Sequence, residues 1–90
     1  MMYPFMQLDD GTEIVHSEAF VNGTKEVVKV YFERPILGGF ANATCFLPDY
    51  LWEDINGFTE AELKSLQEIL ESTAHLIMRF SRQGGLENAY

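Results

Sequence analysis

Residues 59–83 read TEAELKSLQEILESTAHLIMRFSRQ, and this stretch is the strongest structural signal in the chain. Its apolar positions recur at alternating spacings of three and four residues, which is typical of an amphipathic helix with one buried face. Thr59 and Glu62 match a capping box at its start, and Gly84-Gly85 match a left-handed stop at its end. The sequence therefore predicts one helix over about 59–83. The predicted buried stripe contains Leu63, Leu66, Ile69, Leu70, Thr73, Leu76, Ile77 and Phe80.

The chain before this helix is typical of short strands joined by turns. Glycine reaches positive φ at no steric cost, so Asp10-Gly11, Asn22-Gly23 and Gly38-Gly39 indicate turns. Residues 50–58 are predicted to be irregular or a short helical turn, and 86–90 to be a loose tail. β-branched and aromatic residues between the turns predict strands at about 3–8, 13–20, 25–34 and 40–47.

These elements predict a single α+β domain spanning residues 1–90. Short connections favour antiparallel neighbours, so we expect a four-stranded antiparallel β-meander with the C-terminal helix packed on one face. Three strands with a β-arm are the alternative. One helix covers only one face of a sheet, so the opposite face must contact water, a second copy or a partner.

Strand alternation assigns side chains to these two faces. We expect the helix to cover Val28, Val30 and Phe32, because they form the more apolar side of their strand. The same side of the next strand carries Ala41, Ala43, Cys45 and Leu47. The uncovered side is predicted to carry Ile14, His16, Glu18, Phe20, Val27, Lys29, Tyr31, Glu33, Phe40, Asn42, Thr44 and Phe46.

Composition restricts the classes of partner. Fourteen acidic and six basic residues give a formal net charge of −8, which makes direct nucleic-acid binding unlikely because phosphate contacts dominate such affinity. The single cysteine, Cys45, excludes an internal disulfide and fits a reducing compartment. The start, MMYPFMQLDD, is unlike a signal peptide, and no apolar stretch approaches the length of a membrane span. We therefore expect a soluble cytoplasmic protein without membrane contact.

Three side chains, His16, Cys45 and His75, are the candidate metal ligands or catalytic groups. They are spread along the chain without a paired ligand motif, so the sequence predicts no metal and no cofactor. We expect Cys45 to be buried and unreactive, and both histidines to lie on the surface. A protein that is not an enzyme is the leading expectation, and a small metal-dependent or hydrolytic enzyme is an alternative.

Acidic residues are concentrated between Asp49 and Glu71, beside two aromatic residues that suit a binding anchor. For Trp52, a place at one end of the small core is favoured slightly over a role as a binding anchor. Such a surface would dock on a basic groove and inhibit or regulate a larger intracellular partner, for which we expect a nucleic-acid-handling protein. Small acidic antitoxins, anti-CRISPR proteins and other phage-encoded inhibitors share this size and charge, an analogy of type alone. The predicted partner-binding residues are Asp49, Tyr50, Trp52, Glu53, Asp54, Glu60 and Glu62.

The uncovered sheet face offers a different function. A contiguous apolar patch on a surface marks an interaction site, so this face is a candidate dimer interface of a self-associating structural module. Its predicted residues are Val27, Lys29, Tyr31, Phe40, Asn42 and Phe46.

Overall fold

The helix α1 runs from Glu60 to Arg82 in a computed structural model of the protein, which describes residues 1–83. Thr59 is the N-cap, and the predicted capping box is present: the Glu62 amide donates to Thr59 Oγ1 (3.1 Å), and the Thr59 amide donates to Glu62 Oε1 (2.8 Å). The helix prediction is therefore confirmed. The predicted glycine stop and loose tail lie outside the described residues.

The strands form one antiparallel sheet in the order β1-β2-β4-β5-β6, and β3 pairs with the start of β4. The α+β class is confirmed, but the described chain has six strands where the sequence predicted four. The strands are β1 (Met2–Gln7), β2 (Glu13–Ser17), β3 (Phe20–Asn22), β4 (Lys25–Ile36), β5 (Gly39–Leu47) and β6 (Leu51–Asn56).

The strand β6 was predicted to be irregular or a short helical turn, and this was wrong. Its residues LWEDIN show no regular alternation of apolar and polar side chains. The register of β6 against β5 also shifts between Asn42 and Thr44. Asp54, at this irregularity, has a φ of 52°. An edge strand is held by backbone pairing to one neighbour, so its side-chain pattern carries little signal.

A second irregularity divides the predicted strand 13–20 into β2 and β3. His16 pairs with Val30 and Phe20 pairs with Val27, so the three residues between the pairs on one side oppose two on the other. One extra residue moves all later side chains to the opposite face of the sheet. Phe20 therefore lies on the uncovered side as predicted, whereas Ile14 and His16 lie beneath the helix, contrary to the prediction.

The core lies between α1 and one face of the sheet. Val28, Val30 and Phe32 are fully buried there, and so is Cys45, as predicted. Within residues 1–83, no helix is both long enough and apolar enough to span a membrane. The buried cluster contains Ile14, Val28, Val30, Phe32, Ala41, Ala43, Cys45, Leu47, Phe58, Leu66, Leu70 and Ile77.

Ion pairs link both ends of α1 to β4, which runs antiparallel to it. Near the start of the helix, Arg34 Nη1 donates to Glu62 Oε2 at 2.6 Å, and near its end Arg82 Nε donates to Glu26 Oε1 at 2.8 Å. The Arg34 guanidinium holds the pKa of the Glu62 carboxyl below its usual range. Because α1 packs on one face of the sheet, the opposite face has no covering element among residues 1–83.

Candidate protein-interaction site

The face of the sheet opposite α1, called the open face from here on, is a surface of alternate strand residues. The strand register aligns them in rows across the sheet. One row is polar, and a second mixes apolar and polar side chains. The polar row runs Gln7, Glu13, Glu33, Asn42 and Asn56, and the mixed row runs Pro4, Val15, Tyr31, Thr44 and Glu53.

The polar row places two carboxylates directly opposite each other. Glu13 and Glu33 are cross-strand partners, an arrangement of like charges that costs stability in an isolated sheet. The Tyr31 hydroxyl donates to Glu33 Oε2 at 3.1 Å, and burial raises the pKa of that phenol. The open face therefore combines local negative charge with an amphipathic aromatic side chain.

At one corner of the open face, where β3, β5 and β6 meet, lies a cavity of about 190 Å³, here called the groove. Its apolar lining includes Val27, which is almost fully buried, and Phe20, which is 43% exposed. Two acidic residues from the predicted partner-binding set lie beside them. The groove is lined by Phe20, Asn22, Lys25, Val27, Phe46, Leu47, Asp49, Leu51 and Glu53.

The charges of the groove are only partly neutralised within the described chain. Lys25 Nζ donates to both carboxylate oxygens of Asp49, at 2.9 and 3.1 Å, in a contact exposed to solvent. The Glu53 side chain has no hydrogen-bond or ion-pair partner among residues 1–83. An exposed ion pair contributes only about 0–1 kcal/mol, so the Lys25–Asp49 contact opens at little cost.

The predicted partner-binding carboxylates do not form one patch. Asp49 and Glu53 line the groove, and the exposed Asp54 follows on β6. Glu60 is exposed on the first turn of α1, whereas Glu62 is held by its cap and by Arg34. Asp49, Glu53 and Asp54 are therefore the members of the set that border the open face.

The two aromatic members of that set contact the core. Trp52 stacks on Phe32 with ring centroids 5.3 Å apart, and its Nε1 donates to Gln67 Oε1 at 2.9 Å. Tyr50, with a φ of 57°, also packs against the core cluster, and its pKa is raised by burial and by the charge of Glu71. These contacts occupy the sides of both rings that face the helix.

The predicted dimer-interface residues share the open face. Lys29 and Phe40 are exposed, the latter at 59%, and Phe46 is half-buried at the groove. Asn42 accepts from Asn56 Nδ2 at 3.1 Å in the polar row. Val27 and Tyr31, the remaining members of this set, lie on the same face. The open face thus joins residues from both predicted sets on a single surface.

Sequence reasoning missed Leu51 as a site residue because it did not identify β6 as a strand. Leu51 pairs with Phe46 on the open face and is 55% exposed. Lys25 was missed as well, since its contact with Asp49 joins residues 24 positions apart. The Asn22-Gly23 turn was the one local signal that indicated where this corner lies.

The two outer strands of the main sheet, β1 and β6, are poorly suited to pairing with another strand. On β1, Pro4 has no amide donor and the register shifts between Pro4 and Met6. On β6, Asp54 distorts the backbone, and charged side chains occupy the strand. Prolines, bulges and charges are the devices that block edge-to-edge association, so strand addition is disfavoured at β1 and β6.

The three candidate catalytic and metal-binding side chains differ in burial. Burial raises the pKa of the Cys45 thiol to about 12, and it lies in the core as predicted. His16 Nδ1 lies 2.8 Å from Ser81 Oγ, and both side chains are buried between the sheet and α1. His75 is exposed. Within residues 1–83, no three His, Cys, Asp or Glu side chains converge in a way that would hold a metal ion.

No protein-family model, curated protein or solved structure matches the chain.

Proposed function

We propose that this protein is a small acidic binding module, not an enzyme, that acts in the cytoplasm. It docks on a larger intracellular protein through its open face and inhibits or regulates that protein. The observation that carries this proposal is the groove, where exposed apolar side chains of β3 and β6 lie next to Asp49 and Glu53. Apolar anchors beside charged groups are the usual composition of a protein interface.

Charge favours a partner with a basic surface. The chain carries −8 overall, and the open face with its groove includes Glu13, Glu33, Asp49 and Glu53 against Lys25 and Lys29. Complementary charge steers encounter and raises the association rate. A basic groove that normally holds nucleic acid is the natural target of such a surface, so an antitoxin-type or anti-CRISPR-type inhibitor is the concrete form of the proposal.

Self-association through the open face is the second candidate. The observation in its favour is Lys29, which lies on the same face as Glu33 and Glu53, so that a two-fold arrangement would pair opposite charges. Two copies of a −8 chain repel each other at long range, however, and this favours a basic partner.

The decisive experiment removes the apolar part of the open face outside the groove. Tyr31→Ser with Phe40→Ser tests the face, and Met6→Ser, a 37% exposed residue on β1, is the control. A protein captured from the host lysate by the immobilised chain is identified and purified, and its affinity for each variant is then measured. We expect the control to bind like the parent chain and the double variant to bind at least about tenfold more weakly.

Two results would contradict the proposal. One is full binding of the double variant, which would place the interface elsewhere. The other is a dimer, detected by sedimentation at micromolar concentration, that the double variant abolishes; this would favour the self-association candidate. The salt dependence of the association rate is an independent check. Charge steering is screened beyond about 8 Å at roughly 0.15 M ionic strength, so association with a basic partner should slow as salt is added.

A further inference from the structure

We propose that the groove binds an arginine side chain of the partner, an inference that rests on the proposed docking function. The aliphatic stem lies along Phe46 and Leu51, and the guanidinium lies between Asp49 and Glu53. This assigns a binding pocket for a defined side chain within the broader open face.

The lining of the groove matches both parts of an arginine. Val27 and Phe46 supply a mostly buried apolar wall, and Leu51 supplies an exposed one. Basic side chains bury their stems on apolar surface while the charged head stays near water. Phe20 and Phe46 also line the groove, and the face of an aromatic ring attracts a guanidinium more than a neutral group of the same shape.

The carboxylates select the head group. Asp49 and Glu53 both line the groove, from the β5–β6 connection and from β6 respectively. A guanidinium presents five donors in a planar fork, so it reaches two carboxylates at once, whereas an ammonium acts as a compact and strongly hydrated point charge. Arginine is therefore a better fit than lysine.

Lys25 already shows how a basic side chain uses this site. Lys25 lines the groove, and its Nζ donates to both oxygens of Asp49. Both side chains remain more than half exposed, so the pair is held loosely. Lys25 thus occupies part of the place that we assign to the partner's arginine, and it competes with that arginine for Asp49.

The test uses the full chain, labelled with ¹⁵N and titrated with N-acetylarginine amide at about 0.15 M ionic strength, which screens distant charges. N-acetylcitrulline amide, which has the same shape without the charge, is the matched ligand. We expect arginine to produce saturable shifts of the Phe46, Leu51 and Glu53 amides with a dissociation constant on the order of millimolar. We expect citrulline to produce none.

Two lysine variants separate the pocket from net charge. Lys25→Gln and Lys64→Gln change the total charge equally, but only Lys25 contacts Asp49. We expect Lys25→Gln to tighten arginine binding at least about threefold and Lys64→Gln to leave it unchanged. Glu53→Gln should weaken it by a similar factor, whereas Glu60→Gln, outside the groove, should have no effect.

Three results would overturn the inference. They are an absence of saturable shifts, equal shifts with citrulline, and equal tightening by the two lysine variants. None of them bears on the Tyr31 and Phe40 variants, which lie outside the groove and test docking itself. A failed arginine titration with intact dependence on Tyr31 and Phe40 would therefore reject only the pocket, whereas loss of that dependence would reject the docking surface.

Discussion

The two faces of the sheet are built from alternate residues of the same strands, yet they differ in almost every physical property. On β4, Val28, Val30 and Phe32 are completely buried, whereas Lys29 is exposed and Tyr31 is partly exposed. The covered face is uniformly apolar apart from His16 and a few edge residues. The open face mixes aromatic, amide and carboxylate side chains in rows across the strands.

This difference shows which part of the chain serves stability and which part is free to serve binding. Apolar burial supplies the main favourable free energy of folding, and the covered face contributes it by packing against α1. The open face keeps exposed apolar residues and directly opposed carboxylates, neither of which stabilises an isolated domain. Each face should therefore respond differently to the same kind of substitution.

The largest expected effect is the loss of a core contact. Leu70→Ala removes a fully buried side chain at the centre of α1 and should lower the free energy of unfolding by about 2–5 kcal/mol. Phe40→Ala, on the open face, should lower it by less than about 0.5 kcal/mol. Urea denaturation measures both. Similar values for the two variants would show that the faces do not differ in their contribution to stability.

The rate of labelling by a thiol reagent should also differ between the two faces. Cys45 is completely buried with a pKa raised to about 12, so native labelling by a thiol reagent should be at least about a hundredfold slower than labelling in denaturant. Lys29→Cys in a Cys45→Ala background places a thiol on the open face, where labelling should approach the rate of a free thiol. Fast native labelling of Cys45 would contradict its burial.

A pH series tests the polar exception on the covered face. Burial lowers the pKa of His16 in the folded state below its ordinary 6.5, so the unfolded chain binds more protons once the pH falls below about 6.5. Stability should therefore fall with decreasing pH there, by at most about 1.4 kcal/mol per pH unit. The measurement is the urea midpoint between pH 7.5 and 5.

Two histidine variants sharpen this test. His16→Gln should remove the slope, and His75→Gln, at an exposed position, should preserve it. Hydrogen bonds from Arg82 and Arg34 lower the pKa values of Glu26 and Glu62 below 4.5, so their contributions disappear only at lower pH and do not overlap this window. A slope that survives in His16→Gln would assign it to another group.

The smallest effect on stability is expected beside the groove. Glu53→Gln with Asp54→Asn removes two exposed charges from β6 and should change the free energy of unfolding by less than about 0.5 kcal/mol. Association with the partner should nevertheless slow, because steering acts before contact. Asp9→Asn with Glu68→Gln carries the same charge change at exposed positions away from the groove. Equal slowing by both pairs would mean that only net charge matters.

Local sequence was sufficient for the helix and for the faces of β4 and β5. The apolar period of residues 59–83 and the capping box at Thr59 lie within one segment, so no distant contact is needed to recognise them. The alternation of Val28, Val30 and Phe32 is likewise contained in one strand. The same local pattern explains why Cys45 could be placed in the core.

Only the tertiary structure decided the positions of β3, β6 and His16, and with them the groove. The extra residue between His16 and Phe20 exchanges the faces of later side chains, and its presence depends on how β2 and β3 pair with β4. Leu51 and Glu53 reach the open face because β6 pairs with β5, which no pattern within residues 51–56 encodes. Periodicity can be recognised within one segment. The face that side chains occupy after a bulge depends on how two strands pair.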